Sequence, residues 1–165
     1  RSQLPNARYL LVGDGATLET TKQQVSEAGL DDSFEFTGLV NSNLVPEYLA
    51  GSDIAVAPYS HLLSDNAARS AMAVRMKVLE SMAAGIPTIV SEAGNAGNTI
   101  EHGVTGWIHK TDNADSLAAI VLEIVQNPES ASIIAAAGSR RMSEKFTWEK
   151  HAGELESIFY SATAG

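Results

Sequence analysis

Short apolar runs and helical periodicities alternate along this chain from one end to the other. Arg8 to Gly13 (RYLLVG) is a continuous apolar run, the pattern of a strand buried on both faces, and Gly13-Asp14-Gly15 breaks it. A polar helix follows at about Ala16 to Ala28, with Gly29 placed where a left-handed residue ends a helix. Phe34 to Thr37 reads as a second strand, Leu44 to Ala50 as a short helix, and Asp53 to Pro58 as a third strand closed by proline. Tyr59 to Ser70 has no period and collects Ser, Asp and Asn, the composition of a loop. From about Ala71 to Ala84 nearly every residue is a good helix former, and Gly85-Ile86-Pro87 then ends the helix and starts a strand over Pro87 to Ser91. Glu92 to Asn98 is a second loop, and His102 to Trp107 a turn leading into a short strand. Ala114 to Gln126, Glu129 to Lys145 and Trp148 to Ser161 carry helical spacing. This order predicts an α/β chain with a parallel sheet whose crossovers are helices.

The helix at Ala71 to Ala84 is the most informative stretch. Met76, Val78, Leu79, Met82 and Ala83 spread apolar atoms around most of it, which predicts a largely buried helix. Lys77, Glu80 and Ser81 are spaced i, i+3 and i+4 and so share one polar stripe. Lys and Glu on a helix ordinarily face water. The alternative is a ligand-facing stripe at the carboxyl end of a parallel sheet, after the loop that follows Pro58. There a carboxylate can accept hydrogen bonds from both hydroxyls of a ribose, and the free N–H groups of a helix N-terminus suit a diphosphate.

Composition narrows the classes. The 165 residues are 44% apolar and 19% charged, the balance of a globular domain able to bury a core. With 11 Lys and Arg against 20 Asp and Glu, the net charge of −9 has the wrong sign for neutralising nucleic-acid phosphates or anionic lipid. No cysteine is present, which removes disulfides, thiolate metal sites and cysteine nucleophiles and fits the cytoplasm. Four histidines (His61, His102, His109 and His151) have no Ser or Asp at a spacing that suggests a nucleophilic triad. Ser64-Asp65 reads as loop and Asp112-Asn113-Ala114-Asp115 as a helix N-cap region, so no metal cluster is expected.

Six segments in register, LPNARYLLVGDG, FEFTGLV, LAGSDIAVAPY, RMKVLESMAAGIPTIVSEAG, EHGVTGWI and FTWEKHAGELESIFY, resemble the carboxyl-terminal, nucleotide-sugar-binding half of a GT-B glycosyltransferase. The family is the retaining class called glycosyl transferases group 1. The resemblance implies a Rossmann-like parallel sheet with helices on both faces over residues 1–165, as one half of a GT-B fold. It implies that Glu80 stands at the final glutamate of an E-x7-E motif and holds the donor ribose. Met72 stands where the first, sugar-contacting glutamate would be, while Arg75 and Lys77 fit a branch with an R-x-K-x-x-E block. On the same analogy Val74, Arg75, Met76 and Lys77 present backbone N–H groups to the diphosphate, with Arg75 or Lys77 adding charge. Leu39 and Val40 border the base, although residues of this kind after a strand are ordinarily core. The donor is a nucleotide sugar and a substrate, no cofactor or metal is implied, and the transferred hexose goes to a saccharide or to a lipid acceptor at a membrane. The family's first strand and helix, with a Gly-Arg and a Lys-Gly pair, and its amino-terminal acceptor domain are not in this sequence, so the chain alone is expected to be inactive. The last helix resembles the one that crosses back to that domain, which leaves Leu155, Ile158 and Phe159 without a partner or free to dimerise. A non-catalytic Rossmann-like module using the same cleft, and a nucleotide-sugar isomerase, are the alternatives.

Overall fold

The computed structural model describes residues 3–60, 76–95 and 98–163. The chain divides into two compact units, Arg1–Tyr48 and Leu49–Gly165.

In the first unit, β1 (Tyr9–Val12) pairs in parallel with β2 (Phe34–Gly38), and α1 (Leu18–Glu27) is the crossover between them. Gly29 has φ +63°; its N–H reaches the Ser26 carbonyl at 2.9 Å and that of Leu30 reaches Val25 at 3.0 Å. That double closure is a Schellman motif, as the glycine's position anticipates. Tyr9 stacks on Phe34 with ring centroids 4.7 Å apart, because the two are register partners on one face. The expectation that this first strand is buried on both faces is corrected. Tyr9, Leu10 and Val12 are each about two-fifths exposed, and among the described residues β1 pairs with β2 alone.

A 3₁₀ turn at Ser42–Leu44 takes the place of the first residue expected in the next helix, and α2 runs Val45–Ala50. In the second unit β3 (Ala55–Ala57), β4 (Thr88–Ser91) and β5 (Trp107–His109) form a parallel sheet in the order β3-β4-β5. The described part of the crossover helix, α3, is Met76–Ala83; α4 (Ala114–Gln126), α5 (Pro128–Lys145) and α6 (Trp148–Thr163) follow. The central strand β4 is buried throughout, and its alternation decides which helix packs on which face. Val90 joins Ala57, Val78, Met82, Ile100 and Met142 in a core that takes in α3 and α5. Ile89 joins Trp107, Ile120, Ile124 and Ala131, against α4. Helices therefore cover both faces of this sheet, and the α/β, Rossmann-like class is the one observed. The pairings fall into two parallel sheets, one in each unit.

Helix ends follow local chemistry. Asn113 caps α4 by accepting the Ser116 N–H at 2.8 Å, as the Asp112–Asp115 reading predicts. Gly85, φ +73°, ends α3. Gly138, inside α5, lets the helix approach the Thr105 carbonyl so closely that a Cβ would stand 2.6 Å from the oxygen. Along α6 the apolar residues Leu155, Ile158 and Phe159 are exposed.

Candidate functional site

In an open α/β sheet the loops beyond the carboxyl ends of the strands form the usual ligand edge. In the second unit this edge is built by three chain reversals. After β3 the Tyr59 N–H returns to the Ala57 carbonyl at 3.1 Å, and the Ser91 hydroxyl at the end of β4 donates to the Tyr59 carbonyl at 2.8 Å. The Ala93 N–H donates to Thr111 Oγ1 at 2.9 Å, tying the loop after β4 to the one after β5. Asn95 closes its own loop by accepting the Ile100 N–H at 2.9 Å and donating to the Ile100 carbonyl at 3.0 Å. Gly94 lies against the Tyr59 ring, and a Cβ there would come within 2.9 Å of both Tyr59 Cε2 and Val90 Cγ2.

Against this edge stands the face of α3 that carries Lys77. Its Nζ lies 5.1 Å from the Tyr59 ring centroid, within the range of a cation–π contact. Glu80 is also exposed, one turn further along α3. With Met76, Leu79 and Ala83 it lines a groove of about 340 Å³ whose other wall is Ser139, Met142, Ser143, Phe146 and Thr147. Residues three apart on a helix are about 60° apart around its axis. Lys77 and Glu80 therefore flank one exposed ridge, with Lys77 toward Tyr59 and Glu80 toward α5.

Two expectations about this helix are corrected. Ser81 does not share the polar stripe: it is buried, and its hydroxyl donates to the Lys77 carbonyl at 2.7 Å. Back-bonding of that kind gives the hydroxyl proton an acceptor inside a core. Nor is the described part of the helix buried around most of its circumference. Val78, Ser81 and Met82 are the buried positions, while Met76 is 57% exposed because it stands on the groove rim.

In the first unit the turns that end β1 and β2 are tied together. The Gly13 N–H donates to the Gly38 carbonyl at 3.1 Å and to Thr37 Oγ1 at 3.3 Å. Gly38, φ +66°, then turns the chain off the strand, a conformation that costs glycine least. Leu39 is consequently 85% exposed, which corrects its reading as ordinary core; Val40 is half-buried. Arg75, Val74 and Met72 lie outside the described residues, as do His61 and Ser64-Asp65. Among the described residues no three His, Asp or Glu side chains converge on one point. His102 Nδ1 accepts the Ile108 N–H at 2.9 Å, a structural use of that imidazole.

Tyr59, Ser91, Gly94 and the hydroxyl-bearing wall of the groove were not singled out by sequence reasoning. Tyr59 carried one available signal, its place directly after the proline that closes a strand. Ser139 and Ser143 stand one turn apart in a helix half of whose residues are Ala, Ser or Gly, which separates them from a solvated face only when α3 is seen opposite.

A family model described as glycosyl transferases group 1 matches residues 1–141. A GDP-mannose-dependent alpha-(1-6)-phosphatidylinositol monomannoside mannosyltransferase of Mycobacterium tuberculosis is 28% identical over 94% of this chain and 40% of its own length. An N-acetyl-alpha-D-glucosaminyl L-malate synthase of Bacillus anthracis is 28% identical over 94% of this chain and 38% of its own. The chain thus spans about two-fifths of the length of these curated relatives. Among solved structures, Anabaena HepE in complex with UDP superposes with TM-score 0.79 at 22% identity, covering 95% of this chain and 42% of that one. The C-terminal domain of a group 1 glycosyl transferase (LpcC) from Francisella tularensis gives TM-score 0.74 at 21% identity, over 89% of this chain and 73% of that domain.

Proposed function

This chain belongs to the glycosyl transferases group 1 family and corresponds to its C-terminal half, and from that premise we propose that it binds the nucleotide-sugar donor of a glycosyltransferase. The parent enzyme transfers a hexose, with retention, to a saccharide or lipid acceptor held by a separate amino-terminal domain. The observation that carries this reading is the ridge of α3, where Lys77 and Glu80 are both exposed beside the carboxyl edge of a parallel sheet.

Each role follows from chemistry. Glu80 accepts hydrogen bonds from the two ribose hydroxyls, a geometry that a carboxylate with two oxygens can match. Lys77 brings a cation to the diphosphate, and Arg75 adds a second. Backbone N–H groups of Val74, Arg75, Met76 and Lys77 serve the same anion. Leu39 and Val40 offer an apolar border to the base, a role that suits an 85% exposed leucine better than a core one does. In the parent enzyme, stabilising the departing nucleoside diphosphate is the main electrostatic device. The solved relative HepE carries UDP and the mycobacterial relative is GDP-mannose-dependent, so the family supports either base.

The test is an NMR titration of the chain with UDP, GDP and ADP beside its Glu80→Ala variant. Shifts are expected around Val40 and Val74 to Glu80, strongest for one base. Removing a carboxylate that bonds a ribose diol costs about 1.5–3 kcal/mol, roughly ten- to a hundredfold in affinity. Unchanged affinity in Glu80→Ala removes the ribose role from that residue, and no binding by any nucleotide refutes the donor reading.

A further inference from the structure

We propose that Tyr59 is the positioning residue for Lys77: its ring holds the ammonium at the carboxyl edge of the sheet, where it meets the donor's diphosphate. The inference rests on the donor reading above and adds to it a residue outside the α3 motif.

Lysine by itself is a poor instrument for this task. Four rotatable bonds separate its charge from the backbone, and each conformer must be given up when an anion binds. A neighbouring carboxylate could hold the ammonium, but it would neutralise the charge the anion needs. An aromatic face attracts the cation and leaves its charge intact, with the N–H bonds still able to donate away from the ring. Lys77 has that arrangement, with Nζ 5.1 Å from the Tyr59 centroid.

The ring is itself fixed. It packs on the core formed by Ala57, Val78, Val90 and Met82, and its backbone is held on both sides, by its own N–H to Ala57 and by the Ser91 hydroxyl on its carbonyl. Gly94 completes the seat, since a Cβ at that position would overlap the ring and leave Val90 only 2.9 Å away. The ring follows β3, its glycine seat lies in the turn after β4 and the ammonium is carried by α3, so they converge only in the folded unit.

Two measurements on the chain test this. In the absence of nucleotide, the ε-protons of Lys77 should resonate upfield of other lysines through the ring current of Tyr59. They should return to ordinary positions in Tyr59→Leu and stay shifted in Tyr59→Phe. Ordinary shifts in the wild-type chain overturn the proposal without any variant having to fold. Second, affinity is measured for UDP, GDP and ADP against the matching monophosphates. Tyr59→Leu should lower the diphosphate's advantage about two- to fivefold, the size of a cation–π contact at a half-exposed site, and Tyr59→Phe should not. Combining Tyr59→Leu with Lys77→Ala should do no more than Lys77→Ala alone, because both act through one ammonium. Equal losses for mono- and diphosphate, or losses that add, assign Tyr59 a structural role only and overturn the proposal. If the wild-type chain binds no nucleoside diphosphate, the donor reading fails first, and the two failures are told apart by that control.

Discussion

Gly138 offers a test in which two well-understood effects oppose each other. It lies inside α5, where alanine is favoured over glycine by about 1 kcal/mol through backbone entropy. By propensity alone Gly138→Ala should stabilise. The packing argues otherwise, because an added Cβ would meet the Thr105 carbonyl oxygen at 2.6 Å and Met82 Cε at 3.4 Å. The methionine can move aside, but the carbonyl cannot. Thr105 is pinned in its turn by its N–H to Glu101 at 3.0 Å and by its hydroxyl, which accepts the Glu101 N–H at 3.0 Å. Restoring an ordinary C···O separation of about 3.3 Å means lifting α5 by about 0.7 Å from the α3 core. Overpacking of this kind costs about 1–3 kcal/mol, which the ~1 kcal/mol gained from propensity offsets in part, so the net expectation is a loss of about 0–2 kcal/mol, or a fall of up to roughly 8 °C in melting temperature. Buried Trp107 reports the transition by fluorescence. The control is Gly153→Ala in α6, where a Cβ meets nothing within 4 Å. There propensity acts alone, and amide exchange across α6 should slow about two- to fivefold. A Gly138→Ala chain stabilised by the full ~1 kcal/mol that propensity alone predicts would refute the close approach of α5 to the Thr105 turn and with it the α3–α5 packing that frames the groove beside Glu80.

Two further substitutions probe the scaffold. Trp107 is 1% exposed and its indole N–H donates to Glu123 at 3.1 Å; Trp107→Phe should destabilise the second unit by about 2 kcal/mol, read from chemical denaturation, and a loss under 0.5 kcal/mol would contradict the packing against Ile89, Ile120 and Ile124. Asn113→Ala removes the N-cap of α4 and should cost about 1 kcal/mol by the same assay, while Asn113→Asp, which keeps an acceptor for the Ser116 N–H, should be nearly neutral.

What the amino-acid order determined by itself is what depends on near neighbours in the chain. The elements, their order and their stops are of this kind. Gly29 and Gly85 end helices because a residue without Cβ occupies the left-handed region cheaply, and Asn113 caps α4 because its side chain reaches an N–H three residues on. The likeness of the RMKVLESMAAGIP block to a donor-binding family was legible for the same reason, since the helical residues and the stop that follows them lie in one continuous segment. Burial and convergence were decided by the tertiary structure. The run RYLLV has the composition of a strand covered on both faces, yet Tyr9, Leu10 and Val12 stay partly exposed, because composition does not say what packs on a face. Ser81 has the helical spacing of a functional stripe, but it is buried and its hydroxyl donates back to the Lys77 carbonyl. Leu39 follows a strand as core residues do, and a left-handed glycine directs it to solvent instead. Tyr59 and Gly94 are 35 positions apart and mean nothing to each other until β3 and β4 lie side by side. Spacing along a chain encodes which face of an element a residue occupies; only the packing of one element on another decides what that face meets.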